Sequence, residues 1–113
     1  MTQVVHQWPI RIYYEDTDMQ GIVYYANYLK YLERARTEFL RAAGFEQGDL
    51  IEKQGVAFAV RAIQVDYLKP AKFNDELLVT TEVVEVKRAS LIFHQMIVRA
   101  HSKHEIINKA IIK

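Results

Sequence analysis

Three carboxylates and a group of tyrosines share one short segment of the chain, residues 13–28. The carboxylates are Glu15, Asp16 and Asp18, and the tyrosines are Tyr13, Tyr14, Tyr24, Tyr25 and Tyr28. A carboxylate can act as a general base or as a nucleophile on an electrophilic carbon. This segment is therefore where the sequence concentrates groups that could perform chemistry, and the elements around it must position them.

The element that follows these residues is an amphipathic helix, predicted from about Asn27 to Ala43. Apolar residues recur there at spacings of three and four, namely Tyr28, Tyr31, Leu32, Ala35, Phe39, Ala42 and Ala43. Gly44 is predicted to end the helix. The first turn of a helix presents N–H groups without internal acceptors, which suit an anion or a polarised carbonyl oxygen.

A carboxylate just before such donors provides two parts of an acyl-transfer site, a base or nucleophile and an oxyanion stabiliser. The spacing alone favours a simpler interpretation, because an Asp in front of a helix is usually a cap or a turn residue. Both interpretations stay open at this point for Asp18. For Asp16 we expect the structural role, fixing the turn through backbone hydrogen bonds.

The remaining chain is predicted to form an antiparallel sheet. Strands are expected at residues 10–14, 57–68, 76–87 and 90–100, with a connection at 69–75, a tight hairpin at 87–90 and a short helix at 48–54. A last strand at about 106–112 looks short or truncated by the chain end. The predicted fold class is α+β, a single domain over residues 1–113 with the sheet wrapped on one long helix.

Composition excludes several function classes. The 113 residues contain no cysteine and carry a formal net charge of +1. A disulfide scaffold and thiolate catalysis are therefore excluded, and a nucleic-acid binder with a broad basic face is not expected. No metal site is predicted, since His101 and His104 are interpreted as loop residues. Without a secretory signal or a membrane-length apolar run, we expect a cytoplasmic protein.

The run EDTDMQGIVYYANYLKYLERARTEFL, residues 15–40, resembles the 4-hydroxybenzoyl-CoA thioesterase family, and within it the YbgC-type branch associated with the Tol–Pal system. Two later segments are similar to the same family, VDYLKPA at 65–71 followed by Asp75, and RASL at 88–91 followed by Phe93 and Gln95. The resemblance implies a hotdog fold and hydrolysis of an acyl-CoA to a free acid and CoA. It implies no metal or redox cofactor, CoA being part of the substrate.

Carried over by position, the resemblance makes Asp18 the catalytic general base or nucleophile. It assigns polarisation of the thioester carbonyl to the backbone N–H of Tyr25, where many members of the branch have His. Tyr24 is expected either to contact the acyl group or to pack in the core or an interface. Lys87 and Arg88 are expected either to contact the phosphates of CoA, which suit cations, or to form a solvated hairpin tip.

Family members assemble as dimers or tetramers, so a homodimer or homotetramer is expected. Two alternatives remain beside an acyl-CoA thioesterase. One is a non-catalytic acyl-CoA-binding or assembly module on the same fold, and the other is a thioesterase acting on acyl carrier protein.

Overall fold

The computed structural model describes residues 5–44, 60–87 and 90–113, in which one long helix packs against a five-stranded antiparallel sheet. The elements are β1 (His6–Arg11), a 3-10 turn (Tyr14–Asp16), α1 (Tyr25–Ala42), β2 (Ile63–Tyr67), β3 (Glu76–Lys87), β4 (Ser90–Arg99) and β5 (Ser102–Ile112). The strand order is β1-β3-β4-β5-β2, and every neighbouring pair is antiparallel. The predicted α+β class is confirmed.

Helix α1 buries one face against the sheet. Its buried side chains are Tyr28, Tyr31, Leu32, Ala35 and Leu40. Gly44 follows the helix with a φ of 95°, which agrees with its predicted role as the stop. Ala42 and Ala43 are exposed, so the prediction that they belong to the buried apolar face of the helix is wrong.

The core lies between α1 and the helix-facing side of the sheet. It contains Leu77 and Val79 from β3, Ile97 from β4, and Ile107 and Ile112 from β5. Each of these side chains lies at a buried strand position, and together with the helix face they form one apolar cluster. The helix is thereby held in one position, which determines where its first turn lies.

Several strand bounds differ from the predicted ones. β1 lies earlier than residues 10–14 and accommodates Pro9 because it is an edge strand. β5 begins at Ser102, well before residue 106, and Ser102 pairs there with Arg99 of β4. β2 begins at Ile63, and residues 60–62 are not strand. The predicted short helix at 48–54 and the hairpin residues 88–89 lie outside the described residues.

Candidate active site

The connection between β1 and α1 folds back on itself as a small hairpin. Thr17 and Val23 form an antiparallel bridge, and the N–H of Asp18 donates to the carbonyl of Ile22 at 2.9 Å. Gly21 closes the turn with a φ of 78°, a conformation that other L-residues adopt only under strain. Asp18 therefore lies at the closed end of this hairpin.

The open end of the hairpin leads directly into α1. The N–H of Tyr24 donates to the carbonyl of Asp16 at 3.1 Å, and Tyr25 is the first helical residue. The side-chain amide of Asn27 donates to the same Asp16 carbonyl at 2.9 Å. One carboxylate and one helix start are thus joined by a short, internally hydrogen-bonded segment.

The carboxylates of Asp16 and Asp18 have different surroundings. Asp16 Oδ2 accepts the N–H of Tyr13 at 2.8 Å, which confirms its structural role at the start of the 3-10 turn. Asp18 is exposed, and its Oδ1 accepts the N–H of Gln20 at 2.8 Å. Within the described residues the second oxygen of Asp18 has no protein donor. Asp18 is therefore oriented by one oxygen while the other stays open to a reactant.

The first turn of α1 offers backbone donors. Tyr24 precedes the helix in an extended conformation and makes no side-chain cap, while the N–H of Asn27 donates to its carbonyl at 2.9 Å. The N–H groups of Tyr25 and Ala26 have no acceptor in the part of the chain that the structure describes. These donors and the helix dipole favour a partial negative charge at this position.

A pocket of about 190 Å³ opens beside this helix start. Its wall includes the rings of Tyr25, Tyr28 and Tyr67, and residues 68–70. The Tyr67 ring lies 4.9 Å from that of Tyr25 and 5.7 Å from that of Tyr28, centroid to centroid. An aromatic, mostly apolar recess next to free N–H groups suits an acyl chain attached to a polarisable carbonyl.

The structure brings only some of the predicted site residues together. Tyr25 lines the pocket, whereas Asp18 and Tyr24 are not part of its wall. Sequence reasoning missed Tyr67, which lies on β2, far from α1 along the chain. Its segment was noted for family resemblance, but no periodicity or spacing indicated that its ring would meet the helix start.

Lys87 and Arg88 are the residues predicted to contact the phosphates of CoA. Lys87 is the last residue of β3. Arg88 lies outside the described residues.

Two buried tyrosines beneath the helix start remain neutral near pH 7. Burial raises the pKa of Tyr28, although the hydrogen bond from the N–H of Ala71 at 3.0 Å partly opposes the increase. Burial also raises the pKa of Tyr31, and the charge of nearby Asp16 adds to this. The Tyr31 hydroxyl forms no well-aligned hydrogen bond within the described residues. Neither hydroxyl is suited to act as a base.

Among residues 5–44, 60–87 and 90–113, no group of three or more His, Cys, Asp or Glu residues is arranged to bind a metal ion. His101 lies in the β4–β5 turn, exposed, with Nε2 2.9 Å from Oε2 of Glu76. No helix in the described part of the chain is long and apolar enough to span a membrane.

Comparison with known proteins gives consistent similarities. The thioesterase superfamily pattern matches residues 20–105. The acyl-CoA thioesterase YbgC of Haemophilus influenzae is 51% identical over 92 residues, covering 81% of this chain and 68% of that protein. The acyl-CoA thioester hydrolase YbgC of Escherichia coli O6:H1 is 44% identical over 110 residues, covering 97% and 80%.

Solved structures show the same fold. A probable thioesterase from Bartonella henselae superimposes with a TM-score of 0.88 at 31% identity, covering 96% of this chain and 88% of that one. The 4-hydroxybenzoyl-CoA thioesterase from Pseudomonas sp. strain CBS-3 has a TM-score of 0.87 at 20% identity, covering 96% and 81%. The hotdog architecture expected from the resemblance is confirmed. The chain belongs to the thioesterase superfamily, a family of thioester-hydrolysing enzymes, as the run at residues 15–40 predicts.

Proposed function

We propose that this protein hydrolyses acyl-CoA thioesters, with Asp18 and the first N–H groups of α1 as its catalytic groups. The observation that carries the proposal is the hairpin between β1 and α1, which links an exposed, oriented carboxylate to unpaired helix-start donors. The acyl-CoA thioesterases among its relatives support the substrate class.

In this mechanism the thioester carbonyl oxygen accepts the N–H of Tyr25, which stabilises the negative charge that develops on attack. Asp18 then acts in one of two ways. As a general base it takes a proton from water while the water oxygen bonds to the carbonyl carbon. As a nucleophile it forms a mixed anhydride that water hydrolyses. In both routes the C–S bond breaks and CoA leaves as a thiol. Its sulfur takes a proton from Asp18 in the general-base route and from solvent water in the anhydride route, and the acyl group leaves as a carboxylic acid.

Substitution Asp18→Asn tests the role of the carboxylate. Asn keeps an oxygen that accepts the N–H of Gln20, but it is neither a base nor a carboxylate nucleophile. We expect kcat for short acyl-CoAs to fall by at least about 100-fold, measured as thiol release. Glu15→Gln is the matched control, because Glu15 is an exposed carboxylate three residues away, and it should retain wild-type rates. Unchanged turnover in Asp18→Asn would show that Asp18 is not catalytic.

The backbone donor can be removed by Tyr25→Pro. Proline is tolerated at the first helical position, and Tyr24 already has the extended conformation, φ −67° and ψ 135°, that a following proline requires. Loss of one oxyanion donor costs on the order of 100- to 1,000-fold in kcat. Tyr25→Ala is the control, since it removes the ring and keeps the N–H. Equal loss in both variants would assign the effect to the side chain instead.

A substrate panel separates the remaining alternatives. Thiol release from CoA thioesters supports the proposal, whereas stoichiometric binding without release would support an acyl-CoA-binding module. A higher kcat/KM for thioesters of acyl carrier protein than for thioesters of CoA would favour the carrier-bound substrate. Single turnover in ¹⁸O-water distinguishes the two roles of Asp18, because hydrolysis of the anhydride can place the label in its carboxylate.

Assembly and location belong to the same proposal. We expect a homodimer or homotetramer in the cytoplasm, without a metal or other cofactor. Contacts of Lys87 and Arg88 with the CoA phosphates, and of Tyr24 with the acyl group, are part of this proposal.

A further inference from the structure

The β2–β3 loop, residues 68–75, contacts both the pocket and the chain leading into α1. Residues 68–70 form part of the pocket wall. Ala71, fully buried, accepts the N–H of Val23 at 2.8 Å and donates its own N–H to the Tyr28 hydroxyl at 3.0 Å. Any displacement of this loop is therefore transmitted to the residues immediately before the catalytic helix.

Arg99, on β4, holds this loop through its guanidinium group. Nη1 donates to the carboxylate of Asp75, and Nη2 donates to the carbonyl of Pro70 at 2.8 Å. Nε donates to Glu105 on β5 at 2.5 Å. The planar fork thus joins both ends of the loop to the sheet, an arrangement that the single point charge of Lys does not reproduce.

Asp75 contributes a second restraint within the loop. Its Oδ2 accepts the N–H of Lys72 at 2.9 Å as well as the Arg99 donor. The side chains of Arg99 and Asp75 are 22% and 27% exposed, so this pair is better shielded than a surface ion pair.

We propose that Arg99, together with Asp75, is a positioning residue for thioester hydrolysis. It keeps the β2–β3 loop against the sheet, so that the pocket wall and the backbone before Tyr25 retain the geometry that the acyl group requires. The side chain of Arg99 is not itself part of the pocket wall, and it acts through the loop residues that it holds, Pro70 directly and Ala71 next to it. This proposal rests on the proposed thioesterase activity.

The test compares Arg99→Lys and Asp75→Asn with Glu105→Gln. The first two variants weaken the attachment of the loop, whereas Glu105→Gln weakens a bond of the same guanidinium that does not involve the loop. Purified variants are assayed for kcat and KM with short and long acyl-CoAs, and for urea unfolding at one protomer concentration.

We expect kcat/KM to fall on the order of 10- to 100-fold in Arg99→Lys and Asp75→Asn, since small misplacements at a reacting centre have effects of this size. The preference between short and long acyl chains should also narrow, because the pocket wall is less fixed. In the double variant Arg99→Lys/Asp75→Asn, kcat/KM should be no lower than in the more impaired of the two single variants. Glu105→Gln should retain wild-type kinetics.

A purely structural role for Arg99 predicts the opposite pattern. The urea-unfolding transition of Arg99→Lys would shift, while its kcat, KM and acyl-chain preference per folded protomer would match those of Glu105→Gln. This result would overturn the proposal. If Arg99→Lys does not fold, the same comparison with Asp75→Asn decides. A wild-type protein that releases no thiol from any acyl-CoA would instead refute the proposed function itself.

Discussion

Substitution of Gln95 is the strongest single test of how α1 is attached to the sheet. The Gln95 side chain is 1% exposed, and its Nε2 donates to the Leu32 carbonyl at 3.0 Å and to Thr81 Oγ1 at 2.9 Å. Its Oε1 accepts Nη1 of Arg36 at 3.0 Å. One amide thus joins the middle of the helix to two neighbouring strands.

Substitution Gln95→Leu keeps the approximate volume and removes all three hydrogen bonds. The two bonds between neutral groups contribute about 1 kcal/mol each, and the bond from the charged, partly buried Arg36 contributes about 1.5 kcal/mol. Thr81 is also left buried without this partner, whereas the added apolar surface of Leu offsets part of the loss. We expect the free energy of unfolding to fall by about 3 kcal/mol.

The assay is urea unfolding at one fixed protomer concentration, because association would otherwise contribute to the apparent stability. Gln7→Leu is the matched control, since Gln7 is exposed on β1, and it should change stability by less than about 0.5 kcal/mol. The double variant Gln95→Leu/Thr81→Val should recover part of the loss, because it leaves no unpaired hydroxyl. A loss below about 1 kcal/mol in Gln95→Leu, or strict additivity in the double variant, would refute this account of the network.

Further predictions concern tyrosines and glycines. Tyr28→Phe should lower the free energy of unfolding by about 1–2 kcal/mol, because it leaves the buried N–H of Ala71 unpaired. Tyr31→Phe should leave the free energy of unfolding unchanged or raise it in the same assay, because the Tyr31 hydroxyl has no well-formed partner among the described residues. Both tyrosines have a pKa in the folded protein that is raised above the ordinary 10.0, so the unfolded chain loses these protons first. The free energy of unfolding should therefore fall as the pH rises above about 10. Tyr31→Phe should make this fall with pH less steep. A methyl group added at Gly21 or Gly44 meets no neighbouring atoms, so Gly21→Ala and Gly44→Ala should each cost about 1 kcal/mol through backbone strain alone. Only Gly21→Ala should also lower kcat, because the turn at Gly21 orients Asp18. Equal kinetics in the two glycine variants would contradict that role.

Much of the fold follows from local patterns. The 3.6-residue period predicts α1 to within two residues at its start, and β3 has the bounds that its branched residues predict. Strand ends were harder to predict: β5 begins at Ser102, which pairs with Arg99 of β4, and no local pattern contains that partner. Leu40 is likewise buried although the predicted apolar face omitted it.

The sequence by itself determined the chemical groups of the candidate site. The carboxylates, the turn at Gly21 and the start of the helix all lie within residues 15–25, so local backbone rules are sufficient to predict them. It also determined the family, because the motif of residues 15–40 is contiguous.

Only the tertiary structure decided what surrounds that site. The Tyr67 ring against Tyr25, the attachment of Ala71 to Val23 and the fork of Arg99 join residues separated by tens of positions. Such contacts depend on sheet register and on the position of the helix over the sheet, and these are set by burial of the whole apolar core. The pocket wall and its positioning residues therefore became visible only in the folded molecule.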